Sequence, residues 1–234
     1  MINLNDMLSG GVDTVIFDMD DLMIDSHPIY ARVFAEVFGK YGFSFEEKNN
    51  PLTNEEQAMF FGLKIPDVVS LLLKKYPVPG KSVEDLSREY NNIVTPLFRR
   101  LDIKSMPGLL VLIRKLQGLG LKLALASSSP QERIGAVLEK LALTGAFVVV
   151  VSGDDDVRRG KPAPDVFLKA AEKAGARPER CLVFEDAKNG VLAAKAAGME
   201  VAGVHNRFMF QRLGVRQDLS AADYELESLE DIAY

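Results

Sequence analysis

The chain is poor in the residues that build disulfides and transition-metal sites. Cys181 is the only cysteine, and His27 and His205 are the only histidines, among 234 residues. One cysteine excludes an internal disulfide and a cysteine-rich zinc site, and it is typical of a reducing compartment. The histidines are isolated from each other and from the cysteine, so we interpret both as surface or loop residues rather than metal ligands.

Long apolar runs are also missing. No run approaches the ~20 residues that cross a bilayer, and the first residues lack the basic and apolar regions of a targeting signal. Lysine and arginine total 28 against 33 acidic residues, which leaves a net charge of −5. This charge opposes DNA, RNA and anionic lipid. We therefore expect a cytoplasmic protein with no nucleic-acid or membrane partner, and by default a monomer.

Strand and helix patterns alternate from residue 107 onward. Short β-branched or apolar runs predict buried parallel strands, and segments of helical spacing with glycines near their ends lie between them. With a first strand over residues 12–17, this predicts an α/β fold with a doubly wound, Rossmann-like parallel sheet. The later predicted strands are 122–126, 147–151, 181–184 and 201–204, and the predicted helices are 130–141, 165–174 and 191–197.

Residues 25–103 interrupt this alternation with helical patterns alone. Thr53 and Glu56 have the spacing of a capping box. We predict an all-helical cap inserted into a catalytic core of residues 1–24 and 104–234. Because the insertion leaves just after the first strand, it would cover the carboxyl ends of the strands, exclude water and select substrates. One apolar stripe in it runs at three- and four-residue steps through Leu86, Tyr90, Ile93, Leu97 and Leu101.

Polar residues follow four of the predicted buried segments, which places them at one edge of a parallel sheet. Phosphoryl transfer needs a nucleophile, neutralisation of the phosphoryl oxygens and a proton donor for the leaving group. The set supplies all three kinds of group, so we predict a single phosphoryl-transfer site. Its members are Asp18, Asp20, Ser127, Lys161, Glu185 and Asp186.

Each of these residue types suits one task in that reaction. Asp18 can attack phosphorus as a carboxylate, and Asp20 can protonate the leaving oxygen and later deprotonate water. Ser127 and the N–H groups after it, including that of Ser128, can bind the phosphoryl oxygens, and Lys161 adds a positive charge. Crowded carboxylates repel one another unless a cation lies among them, and hard oxygen ligands favour Mg²⁺.

The motifs resemble those of the haloacid dehalogenase superfamily of phosphohydrolases, in the subgroup with a helical cap inserted after the first motif. The resemblance covers nearly the whole chain, with four motifs in order. Motif one matches residues 18–26, motif two Ser127, motif three Lys161, and motif four Glu185 and Asp186.

The resemblance implies roles for individual residues. Asp18 would be the nucleophile and Asp20 the general acid and base. Mg²⁺ would be bound by Asp18, the backbone carbonyl of Asp20 and Asp186, while Glu185 would assist directly or through water. Asp21 stands where the subgroup usually has glycine, and we expect this to have a modest effect on the loop.

Within the subgroup, the similarity extends to phosphatases of sugar phosphates and nucleoside phosphates, including pseudouridine 5′-phosphatases. Gly62 and Lys64 lie in a predicted cap turn, where Lys64 could reach the substrate or could be a solvated lysine at a helix start. Tyr30 occupies the position where sugar phosphomutases of the subgroup carry histidine. We interpret it as a packing residue, and the substitution argues against a mutase.

We therefore expect a Mg²⁺-dependent phosphatase that hydrolyses a small phosphorylated metabolite, either a sugar phosphate or a nucleoside monophosphate, through an aspartyl-phosphate. One alternative is a sugar phosphomutase of the β-phosphoglucomutase type, which shares every core motif. Another is a phosphate-binding regulatory protein without activity, because fold does not fix function. Retention of both Asp18 and Asp20 argues against the second alternative.

Overall fold

A six-stranded parallel sheet forms the centre of the protein, in the order β4-β3-β2-β5-β6-β7. The structure is a computed structural model that describes residues 1–43, 52–214 and 216–234. A separate short pair joins β1 (Ile2–Asn3) to β8 (Ile232–Ala233). The strands of the central sheet are β2 (Thr14–Phe17), β3 (Lys122–Ser127), β4 (Val149–Ser152), β5 (Cys181–Glu185), β6 (Glu200–Val204) and β7 (Tyr224–Leu226).

Helices cover both faces of this sheet, which confirms the predicted doubly wound α/β fold. The helices in chain order are α1 (Leu4–Leu8), α2 (His27–Gly39), α3 (Asn54–Ala58), α4 (Ile65–Lys75), α5 (Val83–Arg100), α6 (Leu109–Gly118), α7 (Gln131–Lys140), α8 (Asp165–Ala174), α9 (Lys188–Ala196) and α10 (Arg207–Leu213), with short 3-10 turns at Pro178–Arg180 and Leu229–Asp231. None of the helices in the described ranges is long and apolar enough to cross a bilayer.

Strand β2 lies between β3 and β5 and is buried along its whole length. Side chains alternate between the two faces of a strand. Accordingly, Val15 and Phe17 pack into the apolar cluster that includes α1, α6 and α7, whereas Ile16 packs into the cluster of α8 and α9. Burial on both faces explains why the strands are continuous apolar runs in the sequence.

Some element ends differ from the predictions. The predicted strand at 147–151 begins at Val149, and the predicted helix at 191–197 begins at Lys188. The first turn of α9 reads Lys188-Asn189-Gly190, so it carries no apolar residue that periodicity could detect.

Helices α2 to α5 form an insert between β2 and α6, and the described part of the insert contains no strand. The capping box is confirmed, because Thr53 Oγ1 accepts from the N–H of Glu56 and Glu56 Oε2 accepts from that of Thr53. The boundaries at 25–103 stay a prediction, and residues 44–51 lie outside the described residues.

The buried face of α5 runs at four-residue steps rather than along the predicted stripe. Its fully buried apolar residues are Leu86, Tyr90, Val94 and Phe98. The predicted members Ile93, Leu97 and Leu101 are only partly buried. These residues join the same apolar cluster as the sheet, so the insert packs against the core.

Candidate active site

Strand ends bring the predicted charged residues together. Asp18 follows β2, and its backbone N–H donates to the carbonyl of Phe184 in the neighbouring strand β5 at 3.0 Å. Lys161 lies in the loop after β4, and its Nζ donates to Asp18 Oδ1 at 2.6 Å. The same ammonium donates to Glu185 Oε1 at the end of β5. Three separate segments therefore converge on one buried point.

Three carboxylates cluster there. Asp18, Glu185 and Asp186 each offer an oxygen, and these oxygens lie within 4.8 Å of one another. Burial raises the pKa values of Asp18 and Asp186 well above their usual range, and the neighbouring carboxylates raise them further. Asp186 Oδ2 is buried with no hydrogen-bond partner among the described residues. An all-oxygen set with a buried unpaired atom fits a hard divalent cation.

Lys161 is fully buried between two of these acids. Burial acts to lower the pKa of Lys161, but the carboxylates of Asp18 and Glu185 outweigh it and raise that pKa. The ammonium therefore keeps its charge at neutral pH. A side chain at Gly190 would place Cβ only 1.7 Å from Glu185 Oε1, so glycine allows the first turn of α9 to lie against this cluster.

Asp20 has different surroundings, although only one residue separates it from Asp18. Its Oδ1 accepts from the hydroxyl of Tyr30 at 2.7 Å. Its Oδ2 accepts from Ser129 Oγ at 2.8 Å and from Ser127 Oγ at 3.3 Å. One aspartate therefore faces a lysine and two acids, and the other faces hydroxyl donors, which suits a nucleophile beside a proton-transfer group.

The structure corrects the interpretation of Tyr30 as a packing residue alone. Its ring does pack near Tyr90 and Phe98, but its hydroxyl belongs to the site. Burial raises the pKa of Tyr30, and the charge of Asp20 raises it further. The phenol therefore stays protonated, and its hydroxyl donates a hydrogen bond to the Asp20 carboxylate. The available signal was a polar aromatic residue in the first turn of the helix that follows the aspartates.

Sequence reasoning missed Arg133 entirely. This residue lies on α7 and is 1% exposed. Its guanidinium donates to Ser129 Oγ at 3.2 Å, to the Tyr30 hydroxyl at 3.4 Å and to Asn91 Oδ1 on α5 at 2.9 Å. Arg133 thus joins the core to two helices of the insert. An arginine on an amphipathic core helix carries no sequence signal for such a role.

A cavity opens between the aspartates and the insert. It has an empty volume of about 1030 Å³, which includes space open to solvent. Asp18, Asp20, Asp186, Ser128 and Arg133 line its core side. Helices of the insert and the loop before α4 line the rest.

A sequence model of haloacid dehalogenase-like hydrolases matches residues 12–198. The chain belongs to this hydrolase family. The match contains all the charged residues described above, from Asp18 to Asp186.

Relatives in the family are named as phosphatases. A phosphorylated carbohydrates phosphatase of Thermotoga maritima is 32% identical over 81% of this chain and 83% of that protein. A probable pseudouridine-5′-phosphatase of Drosophila melanogaster is 34% identical over 92% of this chain and 89% of that protein. The family match and these relatives support a phosphoric monoester hydrolase.

Solved structures share the architecture. A putative β-phosphoglucomutase from Thermotoga maritima has a TM-score of 0.66 and 30% identity, covering 94% of this chain and 96% of that one. Its similarity over nearly the full length includes the helical insert.

The motif-two serines of this family member use their hydroxyls within the protein. Ser127 is buried, and its Oγ also accepts from the N–H of Ser129 at 3.0 Å. Ser128 Oγ donates to the carbonyl of Gly62 at 2.8 Å. Ser128 lines the cavity, but the phosphate-binding role of both serines stays a prediction.

Gly62 lies where the insert touches the core. Its φ is +76°, and an added Cβ would lie 3.2 Å from that of Ala187. Nearby, Asn189 Nδ2 donates to the carbonyl of Phe61 at 2.9 Å. The close approach and the positive φ both favour glycine here.

Lys64 is not a solvated lysine, so that alternative is wrong. It is 8% exposed, and its Nζ donates to the carbonyl of Val157 in the core at 2.9 Å. Its stem packs so closely on Gly160 that an added Cβ there would lie 2.9 Å from Lys64 Cγ. The side chain links the insert to the loop before Lys161. Contact of Lys64 with a substrate stays a prediction.

Asp21 adopts the backbone conformation that explains the family's usual glycine. Its φ is +62°, a left-handed region that aspartate tolerates better than most residues. Its Oδ1 accepts from the N–H groups of Ser26 and His27, both at 3.0 Å. Burial raises the pKa of Asp21 to about 7. The acid therefore anchors the start of α2, the point where the chain enters the insert.

His27 is not a surface or loop residue, which corrects that interpretation. It begins α2 and lines the cavity. Its ring stacks on Phe61 with centroids 5.3 Å apart, and burial lowers its pKa to about 4. The proline after it signalled a helix start, but the sequence held no sign of the stacking. His205 lies in the loop after β6, as predicted, with its Nε2 3.2 Å from Glu225 Oε2.

Proposed function

We propose that the protein is a Mg²⁺-dependent phosphatase that hydrolyses a small phosphorylated metabolite, a sugar phosphate or a nucleoside monophosphate, through an aspartyl-phosphate. The observation that carries the proposal is the different setting of its two aspartates. Asp18 contacts Lys161 beside two more acids, whereas Asp20 accepts hydrogen bonds from hydroxyl groups. The phosphatase names of the relatives support the same reaction class.

In the first step, an Asp18 carboxylate oxygen attacks phosphorus and the bond from phosphorus to the ester oxygen breaks. Asp20 donates its proton to the departing alcohol. Lys161, 2.6 Å from Asp18 Oδ1, balances charge on the carboxylate and on the phosphoryl oxygens. Ser127 and the N–H of Ser128 are proposed to bind those oxygens.

In the second step, Asp20 takes a proton from water, whose oxygen attacks the phosphorus of the aspartyl-phosphate. The bond between phosphorus and Asp18 breaks, inorganic phosphate leaves and both carboxyl groups return to their starting states. The hydroxyls of Tyr30 and Ser129 hold Asp20 in place for both transfers.

Asp18, Asp186 and the backbone carbonyl of Asp20 would hold the Mg²⁺, with Glu185 contributing directly or through water. When bound, the cation would offset the crowded negative charge and polarise the phosphoryl group. The buried, unpaired Asp186 Oδ2 supports this ligand set.

The insert is proposed to act as a cap that covers the substrate. Besides apolar packing, several hydrogen bonds join it to the core, among them those of Ser128 with Gly62, Asn189 with Phe61, and Arg133 with Asn91. Contacts of this kind can break and re-form as the cap opens to release product.

Phosphate release tests the proposal. Wild-type protein with Mg²⁺ should release phosphate from members of a panel of sugar and nucleoside phosphates, and EDTA should stop the release. Asp18→Asn should abolish turnover because an amide is a poor nucleophile. Asp25→Asn is the matched control, since Asp25 lies in the same loop but pairs with Arg212 at the surface. Activity that persists in Asp18→Asn would contradict the covalent mechanism.

The same assay separates the mutase alternative. A phosphomutase would convert a hexose phosphate into its isomer faster than it releases phosphate. We expect phosphate release to dominate, and predominant isomer formation would instead favour the mutase.

A further inference from the structure

The insert presents a mainly apolar wall to the cavity. Its polar side chains at the cavity are only His27, Tyr30 and Gln57 among the residues described. The larger apolar side chains on the same wall include Phe34, Phe60, Phe61, Ile65, Val68 and Leu72. Three of them are aromatic, and they come from both α2 and the loop before α4.

Two of the three polar side chains on this wall, those of Tyr30 and Gln57, form hydrogen bonds within the protein. The Tyr30 hydroxyl donates to Asp20 at 2.7 Å. Gln57 Nε2 donates to Asn54 Oδ1. The ring of His27 stacks on Phe61, and its buried Nδ1 has no hydrogen-bond partner among the described residues, so the wall offers a substrate a single unpaired buried side-chain nitrogen. From the core side, the two terminal nitrogens of the Arg133 guanidinium donate to Ser129, Tyr30 and Asn91.

A polyol or hexose chain would be a poor match for such a wall. Each buried hydroxyl of the chain loses its hydrogen bonds to water and needs a partner in the protein. A planar ring loses less when buried and gains contact with aromatic side chains in stacked or edge-to-face arrangements. The apolar wall therefore suits one substrate class, the nucleoside monophosphates, better than the other, the sugar phosphates.

We propose that the substrate's leaving group carries a planar heteroaromatic ring, as in a nucleoside monophosphate, and that Phe34, Phe60 and Phe61 form the binding site for this ring. This inference rests on the proposed phosphatase function. The phosphoryl group lies at Asp18, and the ring lies in the aromatic part of the cavity within the insert.

Substrates that differ only in the ring test the inference. Ribose 5-phosphate contains the phosphate ester and sugar of uridine 5′-monophosphate but no base. Pseudouridine 5′-phosphate and flavin mononucleotide extend the ring-bearing set, and sorbitol 6-phosphate extends the other. With Mg²⁺ present, we expect kcat/KM for at least one ring-bearing ester to be at least tenfold higher than kcat/KM for either ring-free ester. Ring-free esters that match or exceed all ring-bearing ones overturn the inference.

That failure differs from failure of the proposed function. Acetyl phosphate has neither ring nor sugar, so its hydrolysis reports on the phosphoryl site alone. If no substrate in the set, acetyl phosphate included, releases phosphate in an Asp18-dependent way, the phosphatase function itself is wrong. If acetyl phosphate and ribose 5-phosphate are hydrolysed as well as the ring-bearing esters, only the ring site is wrong.

Variants of the wall give a second test. Phe34→Leu and Phe61→Leu should each lower the ratio of kcat/KM for the best ring-bearing ester to that for ribose 5-phosphate by fivefold or more. Phe210→Leu is the matched control, because Phe210 is 45% exposed on α10 and does not line the cavity; its ratio should not change. An unchanged ratio in both wall variants overturns the inference.

One further variant avoids the loss of packing that Phe→Leu changes can cause. Ala31 lines the cavity at an exposed position of α2, so Ala31→Leu adds volume without emptying the core. It should raise KM for ring-bearing esters more than for ribose 5-phosphate. Equal effects on the two classes would contradict the placement of the ring.

Discussion

The carboxyl edge of the sheet and the helical insert contribute opposite kinds of surface to one cavity. The sheet edge carries buried charge: Lys161 among Asp18, Glu185 and Asp186. The insert carries aromatic and aliphatic side chains. Rigid strand ends suit groups that must keep their geometry, and the helical insert supplies an apolar surface opposite them. Under the proposed function, the core would therefore carry the reaction chemistry and the insert would select the substrate.

Asp20 lies at the boundary between these regions. It is on the core loop, yet one of its hydrogen-bond donors is Tyr30 of the insert. Arg133 extends the connection from α7 to α5. Variants that sever these links therefore test whether the two regions act separately.

The largest effect expected in this comparison is that of Asp20→Asn, which keeps the shape but removes proton transfer. We expect both half-reactions to slow by on the order of a hundredfold or more. Burst and steady-state kinetics on one substrate measure the two steps. An unchanged rate would reject the acid and base role of Asp20.

Loss of the buried guanidinium should be the next largest effect. Arg133→Met leaves the hydroxyls of Ser129 and Tyr30 and the amide of Asn91 without a charged donor. We expect the free energy of unfolding to fall by about 2 to 3 kcal/mol, measured in urea. Arg88→Met is the control, because within the described ranges Arg88 pairs with Glu84 at an exposed position. Its loss should change stability by ~0.5 kcal/mol or less. Equal effects would show that Arg133 does not hold the regions together.

The stacked histidine predicts a pH dependence. The pKa of His27 is about 4 in the folded protein and about 6.5 when unfolded. Between these values the unfolded state binds more protons, so stability falls as pH falls through this range. Relative to His27→Gln, wild type should lose about 1 to 2 kcal/mol between pH 7 and pH 5. Parallel stability curves for the two proteins would contradict the neutral, stacked histidine.

Removal of the Tyr30 hydroxyl should have the smallest effect. Tyr30→Phe keeps the ring packing and deletes one hydrogen bond to Asp20, so we expect kcat to fall about tenfold, equivalent to ~1.4 kcal/mol. KM should change much less, because the aromatic side chains of the apolar wall are intact. A rise in KM with unchanged kcat would assign Tyr30 to substrate binding instead of to positioning of Asp20.

The sequence predicted the core side of this comparison far better than the insert side. Strand ends in a parallel sheet must meet at one edge, so Asp18, Lys161, Glu185 and Asp186 could be placed together from order and spacing alone. The contacts of Arg133 depend on how α7 meets the insert, and no local pattern encodes that approach.

Asp21 shows an intermediate case. Its departure from the usual glycine was visible in the sequence. The positive φ of Asp21 explains why the family usually has glycine at this position. The two hydrogen bonds that Asp21 accepts at the start of α2 could not be predicted from the sequence.

In the proposed mechanism, the phosphoryl group passes through Asp18. Wild type and Asp20→Asn protein should be quenched in acid during turnover of a good substrate, digested and analysed by mass spectrometry. We predict a phosphoryl group on the peptide that contains Asp18, accumulating to a higher level where Asp20→Asn slows the second step more than the first. Substrate turnover with no phosphorylated Asp18 peptide in either protein, or with the phosphoryl group on another residue, would contradict the account.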